Sequence, residues 1–140
     1  VVIYITLPEI STITLSGSGL IQTSDWITAG NVELNLLGSG KIDALIDADE
    51  IEAKVTGSGR IVLEGGADYG EFRITGSGNV DAYKMPLIDC EVNISGSGKV
   101  KTQCSGNLEI DISGSGDVFY RGNPNINSSI SGSGKVINDN

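Results

Sequence analysis

The sequence predicts an all-β protein, a right-handed parallel β-helix (solenoid) of about seven coils with one Gly-Ser-Gly per coil. Three observations carry this. The tripeptide opens at Gly17, Gly38, Gly57, Gly76, Gly96, Gly114 and Gly132, at intervals of 21, 19, 19, 20, 18 and 18 residues. A period near 20 residues marks repeats that each form one turn and cannot bury an apolar face alone. Aliphatic residues recur at fixed offsets from every tripeptide. Finally, one Gly-rich element recurs per repeat, whereas antiparallel hairpins would need two turn signals of comparable strength per pair of strands.

The strand before each tripeptide carries Leu15, Leu36, Val55, Ile74, Ile94, Ile112 and Ile130 two positions ahead of the first glycine. Four positions ahead stand Ile13, Leu34, Ala53, Phe72, Val92, Ile110 and Ser128. The strand after it carries Ile21, Ile42, Ile61, Val80, Val100, Val118 and Val136. Mostly polar residues intervene, the period-2 signature of half-buried strands, and the β-branched bias agrees. A coil of roughly 20 residues has a perimeter of about 60 Å, enough for three short sides, and seven coils make a rod about 34 Å long. Right-handed winding follows from the usual hand of parallel crossovers.

The same alternation puts both glycines of the tripeptide inward and the serine outward. Ser18, Ser39, Ser58, Ser77, Ser97, Ser115 and Ser133 should then form an exposed column at a corner. Connections of variable length fall at residues 24–31, 45–50, 64–69, 84–89, 103–107 and 121–125, and they hold Trp26, Pro86 and Pro124. The 140 residues read as one β-helix domain. Because Val1-Val2-Ile3-Tyr4-Ile5 already reads as a strand, a native N-terminal portion is expected upstream. Pro8 and Glu9 at one end, with Ser128, Asn138, Asp139 and Asn140 at the other, read as partial caps against edge pairing. Homo-oligomerisation through a sheet face or an end is a further expectation.

Composition narrows the function classes. A net charge of −9 and a pI near 4.2 disfavour nucleic acid and anionic membrane as partners. No run of 18 apolar residues is present, so the sequence holds no membrane-spanning helix. The chain has no histidine, which removes the commonest general base and transition-metal ligand. Cys90 and Cys104 lack metal-ligand spacing and fall on the inward parity, as small buried apolar groups; a disulfide between them is the alternative. No cofactor and no catalytic residue is predicted. Gly38-Ser39-Gly40-Lys41 lacks the upstream glycine and following hydroxyl of a phosphate loop, and no Gly-x-Ser-x-Gly elbow occurs.

Two sets of residues stand out as candidate surfaces. Glu33, Glu52, Glu71, Glu91 and Glu109 occupy one offset, flanked by Thr12 and Asn127, and parallel stacking makes them an acidic column. Lys54 and Arg73, two residues further along, would balance its middle. This reads as a solvated, charge-balanced face, with a cation or basic-ligand site as the alternative. Trp26, Tyr83, Phe119, Tyr120 and Arg121 are the candidate contact surface, with Trp26 either covering the core edge or offering a sugar-stacking platform. A further acidic group, Asp43, Asp47, Asp49, Glu50 and Glu52, lies near Lys54 and Arg60, as a calcium-assisted uronate lyase would require.

The repeated Ile/Val-Ser-Gly-Ser-Gly-x-Val pattern covers nearly the whole chain. Its most specific stretch is Ile110-Asp111-Ile112-Ser113-Gly114-Ser115-Gly116-Asp117-Val118-Phe119-Tyr120-Arg121-Gly122-Asn123-Pro124, followed by Ser131-Gly132-Ser133-Gly134. These residues resemble the bacterial auto-transporter adhesin head GIN domain family. The resemblance implies a parallel β-helix and an exported, secreted protein at the cell surface, associated with the outer membrane or in the periplasm. It supplies no catalytic residues. The reading is therefore a non-catalytic surface module of adhesin type, binding a glycan or protein surface. The alternatives are a polysaccharide-active enzyme of uronate-lyase type and a small-ligand or lipid carrier.

Overall fold

Inward aliphatic and outward polar residues, alternating within each repeat, wind the chain into a parallel β-solenoid of about seven turns. A computed structural model describes residues 2–5, 12–23 and 26–140. In chain order the strands are β1 (Val2–Ile5), β2 (Thr12–Gly17), β3 (Leu20–Thr23), β4 (Ile27–Gly38), β5 (Lys41–Gly57), β6 (Arg60–Gly66) and β7 (Tyr69–Gly76). They continue as β8 (Asn79–Leu87), β9 (Asp89–Gly96), β10 (Lys99–Cys104), β11 (Asn107–Gly114), β12 (Asp117–Arg121), β13 (Asn125–Ser131) and β14 (Lys135–Asn138). The described residues contain no helix, and hence none long and apolar enough to cross a membrane.

Two faces emerge from the pairing, all of it parallel. The first stacks β2, β4, the second half of β5, β7, β9, β11 and β13. The second stacks β1, β3, the first half of β5, β6, β8, β10, β12 and β14. Register follows the tripeptide offset. Leu15, Leu36, Val55, Ile74, Ile94 and Ile112 lie on one another, as do Ile21, Ile42, Ile61, Val80, Val100 and Val118. All are buried, and each contributes about 1.5–3 kcal/mol of transfer free energy. The third inner row varies in size: Ala53, Phe72 and Val92 are consecutive, so the bulk of Phe72 is accommodated beside a small neighbour.

The Gly-Ser-Gly corner corrects one expectation. Only the second glycine faces inward; the first is on the outside of the bend, and all seven first glycines have positive φ, +113° at Gly57. The left-handed conformation interrupts the strand alternation, which parity counting does not capture. The second glycine is needed for closeness. A Cβ on Gly40 would lie 2.6 Å from the Gly19 carbonyl oxygen and 2.8 Å from Leu15 Cδ2, one coil away. The serines are exposed as expected, and their amides, rather than their hydroxyls, bind the coils together: Ser58 N donates to Gly38 O at 3.1 Å and Ser77 N to Gly57 O at 3.0 Å.

The connection expected at residues 45–50 is also different, because it lies inside β5. Ile46 and Ala48 are buried with Asp47 exposed between them, and this alternation pairs residues 46–48 with residues 27–29 of β4 as a third side. Two successive exposed residues, Asp49 and Glu50, then shift the parity and turn the chain onto the first face. In β8 the register with β10 slips instead: Ala82 faces Thr102 and Pro86 faces Gln103, leaving residues 83–85 without partners in β10, while Lys84 faces Glu64 of β6. Met85 drops into the core while Tyr83 stays half-exposed.

Cys90 and Cys104 are buried free thiols, so no disulfide joins them. Burial raises both thiol pKa values. Cys104 Sγ donates to the Ile88 carbonyl at 3.0 Å, and Cys90 Sγ lies 3.5 Å from Thr102 Oγ1. Pro8 and Glu9 lie outside the described residues.

Candidate functional surfaces

On the first face the five glutamates occur in one column: Thr12, Glu33, Glu52, Glu71, Glu91, Glu109 and Asn127 are successive register partners. Like charges at one-coil spacing repel, and on four of the five strands the residue two positions along answers that repulsion, whereas Glu109 is followed at that place by Asp111. Asn35 Nδ2 donates to Glu33 at 2.8 Å, Lys54 Nζ pairs with Glu52 at 2.9 Å, and Arg73 pairs with Glu71 at 2.8 Å. Asn93 Nδ2 donates to Glu91 at 3.3 Å, and the Tyr69 hydroxyl donates to the same carboxylate at 2.8 Å. The hydrogen bond with Glu52, followed by its charge, raises the Lys54 pKa. A shallow groove of about 320 Å³ runs between this column and the neighbouring one that holds Asn31, Glu50 and Tyr69.

Desolvation, together with the hydrogen bond and charge of Glu91, raises the Tyr69 pKa above its ordinary value of 10.0. A raised folded-state value means that the neutral phenol stabilises the fold. That contribution is complete below about pH 10 and is lost as the pH rises through the folded value. Tyr69→Phe should therefore shrink the stability lost between about pH 8 and about pH 11, measured by urea denaturation. An undiminished loss would show that Tyr69 is not responsible. Tyr83 is raised in the same direction by burial and by Asp139, against an opposing effect of Arg121.

The second face has the opposite character. Of the nine lysines and arginines, seven (Lys41, Arg60, Lys84, Lys99, Lys101, Arg121 and Lys135) lie on its strands; the other two are Lys54 and Arg73. Here the structure brings together part of the predicted contact set. The Arg121 guanidinium lies 4.0 Å from the Tyr83 ring centre, Tyr83 Oη donates to Asp139 Oδ2 at 2.7 Å, and Arg121 reaches the same carboxylate at 3.7 Å. The slip in β8 places Tyr83 there. Phe119 is outward and half-buried in a groove of about 390 Å³, stacked between Lys101 and Ile137. Tyr120, on the opposite parity, packs against the end of the core.

Trp26 is elsewhere, on the third side. Its ring lies over Gly65, where a Cβ would come 2.8 Å from Trp26 Cζ3, and it stays 46% exposed beside Thr28 and Asp47. The lyase-type acidic group is dispersed: Asp43 is on the second face, Asp47 on the third side and Glu52 on the first. Among the described residues no three carboxylate or thiol groups converge as metal ligands.

Sequence reasoning left Lys101 and Asp81 out of the contact surface and read Asp139 only as part of an end cap. The signal for the first two was present, because Asp43, Val62, Asp81, Lys101, Phe119 and Ile137 share the fifth position after the first glycine of the tripeptide and are stacked in that order.

Comparison with known proteins agrees with this architecture. The family model described as "Putative auto-transporter adhesin, head GIN domain" matches residues 1–124. The crystal structure of a protein described as a putative lipid binding protein from Parabacteroides distasonis is 31% identical, with a TM-score of 0.95 over 99% of this chain and 58% of that one. A putative adhesin from the same organism is 26% identical, with a TM-score of 0.93 over 98% of this chain and 60% of that one. A putative adhesin from Bacteroides fragilis, 22% identical with a TM-score of 0.85 over 92% of this chain and 60% of that one, shares the fold. The chain thus spans about 60% of the length of these solved relatives. No curated protein matches it.

Proposed function

Since the chain belongs to the putative auto-transporter adhesin head GIN domain family, we propose that it is a non-catalytic, exported, surface-associated module that binds a glycan or protein partner through its outer faces. The observation that carries this reading is the fixed register of outward side chains on a stacked rod. Identical offsets recur one coil apart, which suits repeated contacts of modest individual strength. Relatives described as adhesins support it. The dispersal of the acidic group over three sides weighs against a lyase. A lipid carrier would need interior space, and the inward rows fill the coil with buried aliphatic side chains.

The test is a glycan array together with pull-down on extracellular matrix protein, comparing the wild type with Trp26→Ala. Binding that saturates supports the module, and a loss in Trp26→Ala includes the exposed ring in the contact. Incubation with polygalacturonate and calcium should give no unsaturated-uronate absorbance; a rising trace would replace the binding reading with catalysis.

A further inference from the structure

We propose that the groove on the second face is a binding site for an acidic saccharide, one carrying carboxylate or sulfate groups on its rings. This rests on the binding-module reading above and gives it a location and a ligand chemistry. The groove crosses β6, β8, β10, β12 and β14, five neighbouring strands, so it runs along the rod axis for about 19 Å. A site of that shape accepts the interior of a polymer without needing its ends.

Its chemistry has three parts, each matched to one feature of such a ligand. First is charge. The described ion pairs are Lys54–Glu52, Arg60–Asp81, Arg73–Glu71 and Arg121–Asp139, so neither Lys99 nor Lys101 has a carboxylate partner among them. Both lie in the groove, Lys101 with its ammonium 5.9 Å from the Tyr83 ring. Although Asp81 and Asp117 are their register neighbours, Lys99 and Lys101 together with Arg60 give the groove lining three cations against the carboxylates of Asp81 and Asp139, a small positive excess on a chain of net charge −9 that favours an anion there. Second is an apolar floor: Phe119 and Ile137 are stacked directly beyond Lys101 and offer a flat surface to the C–H face of a pyranose ring. Third are hydroxyl acceptors. Asp81 is held by Arg60 at 3.5 Å, and Asp139 by Tyr83 at 2.7 Å, so both rim carboxylates are oriented before any ligand arrives.

Those carboxylates also discriminate. They accept hydrogen bonds from sugar hydroxyls, donors that the phosphodiester backbone of duplex DNA does not offer, which disfavours nucleic acid at the same lysines. On the first face Lys54 and Arg73 are each in an ion pair with a glutamate, so it offers no comparable cation.

Immobilised protein would be titrated with polygalacturonate, dextran sulfate, neutral dextran and duplex DNA. The variants are Lys99→Ala/Lys101→Ala and Phe119→Ala in the groove and Lys54→Ala on the opposite face, with folding checked by circular dichroism. We expect an acidic polysaccharide to bind and neutral dextran not to. The double lysine variant should weaken binding at least about tenfold. Phe119→Ala should weaken it about fivefold, and Lys54→Ala should change it less than about twofold. Binding of polygalacturonate alone assigns carboxylate, and binding of dextran sulfate alone assigns sulfate. The proposal is overturned if no acidic polysaccharide binds, if Lys54→Ala weakens binding as much as the groove variants, or if DNA binds as tightly as the saccharide. It is also overturned if sedimentation shows a wild-type dimer that the double lysine variant dissolves, because the groove then serves a second copy. A glycan or matrix protein that binds equally to wild type and groove variants removes the groove assignment and leaves the module reading intact. Absence of any bound glycan or protein removes both.

Discussion

Gly57→Ala is expected to destabilise the protein by about 3 kcal/mol, while Gly17→Ala, at the equivalent corner, costs about 1 kcal/mol. Both glycines have positive φ, +113° and +106°, so both pay the penalty of a left-handed L-residue. They differ in what a side chain would meet. A Cβ on Gly57 would lie 2.7 Å from the Gly38 carbonyl oxygen, the acceptor of the Ser58 amide, whereas nothing among the described residues lies within 4 Å at Gly17. Relief at Gly57 means moving one coil away from the next, which lengthens the hydrogen bonds of the whole corner. Urea denaturation of the two variants separates the terms. Equal losses would show that the conformational penalty alone makes glycine necessary, and that close approach of the coils plays no part.

Phe72→Ala should cost about 4 kcal/mol. Phe72 is fully buried and lies in register between Ala53 and Val92. A Cβ on Gly70 would come 3.4 Å from its Cζ, so the surrounding chain is already shaped to the ring. Strands above and below are fixed by their own hydrogen bonds, leaving little freedom to collapse into the space. The coupling is testable. Ala53→Leu alone should overpack the row and cost about 2 kcal/mol. In the Phe72→Ala background the added leucine should recover part of the loss. Strictly additive losses would mean that the two side chains do not share one volume.

The winding was legible because parallel stacking converts a constant offset in sequence into direct contact in space. Leu36, Val55 and Ile74 need no long-range information to be recognised as neighbours, and the glutamate column followed from the same rule. What offset counting could not supply is wherever the count is broken. The left-handed glycine reverses the parity of the corner, Asp49 and Glu50 reverse it again at the end of the third side, and residues 83–85 add length to β8 that β10 does not match. That insertion is why Tyr83 meets Arg121 and Asp139 rather than a residue at its own offset. The contact set accordingly divided: Tyr83, Phe119 and Arg121 share the second face, Tyr120 supports the core, and Trp26 stands apart on the third side. The pairing of Glu91 with Tyr69, contributed by the preceding coil, was hidden for a different reason. It depends on the reach of a long side chain across the ladder, which neither residue type nor spacing specifies.

The amide-to-carbonyl bonds at the Gly-Ser-Gly corner point from each coil to the one before it, and the ladders of both faces likewise join successive coils along the axis of the stack. Tension applied between the chain ends therefore opens these contacts by peeling, a few at a time, instead of shearing a whole sheet at once. Each detached turn of 18 to 21 residues would pay out about 65 Å of slack. A stack built this way would lengthen under load in steps of one turn.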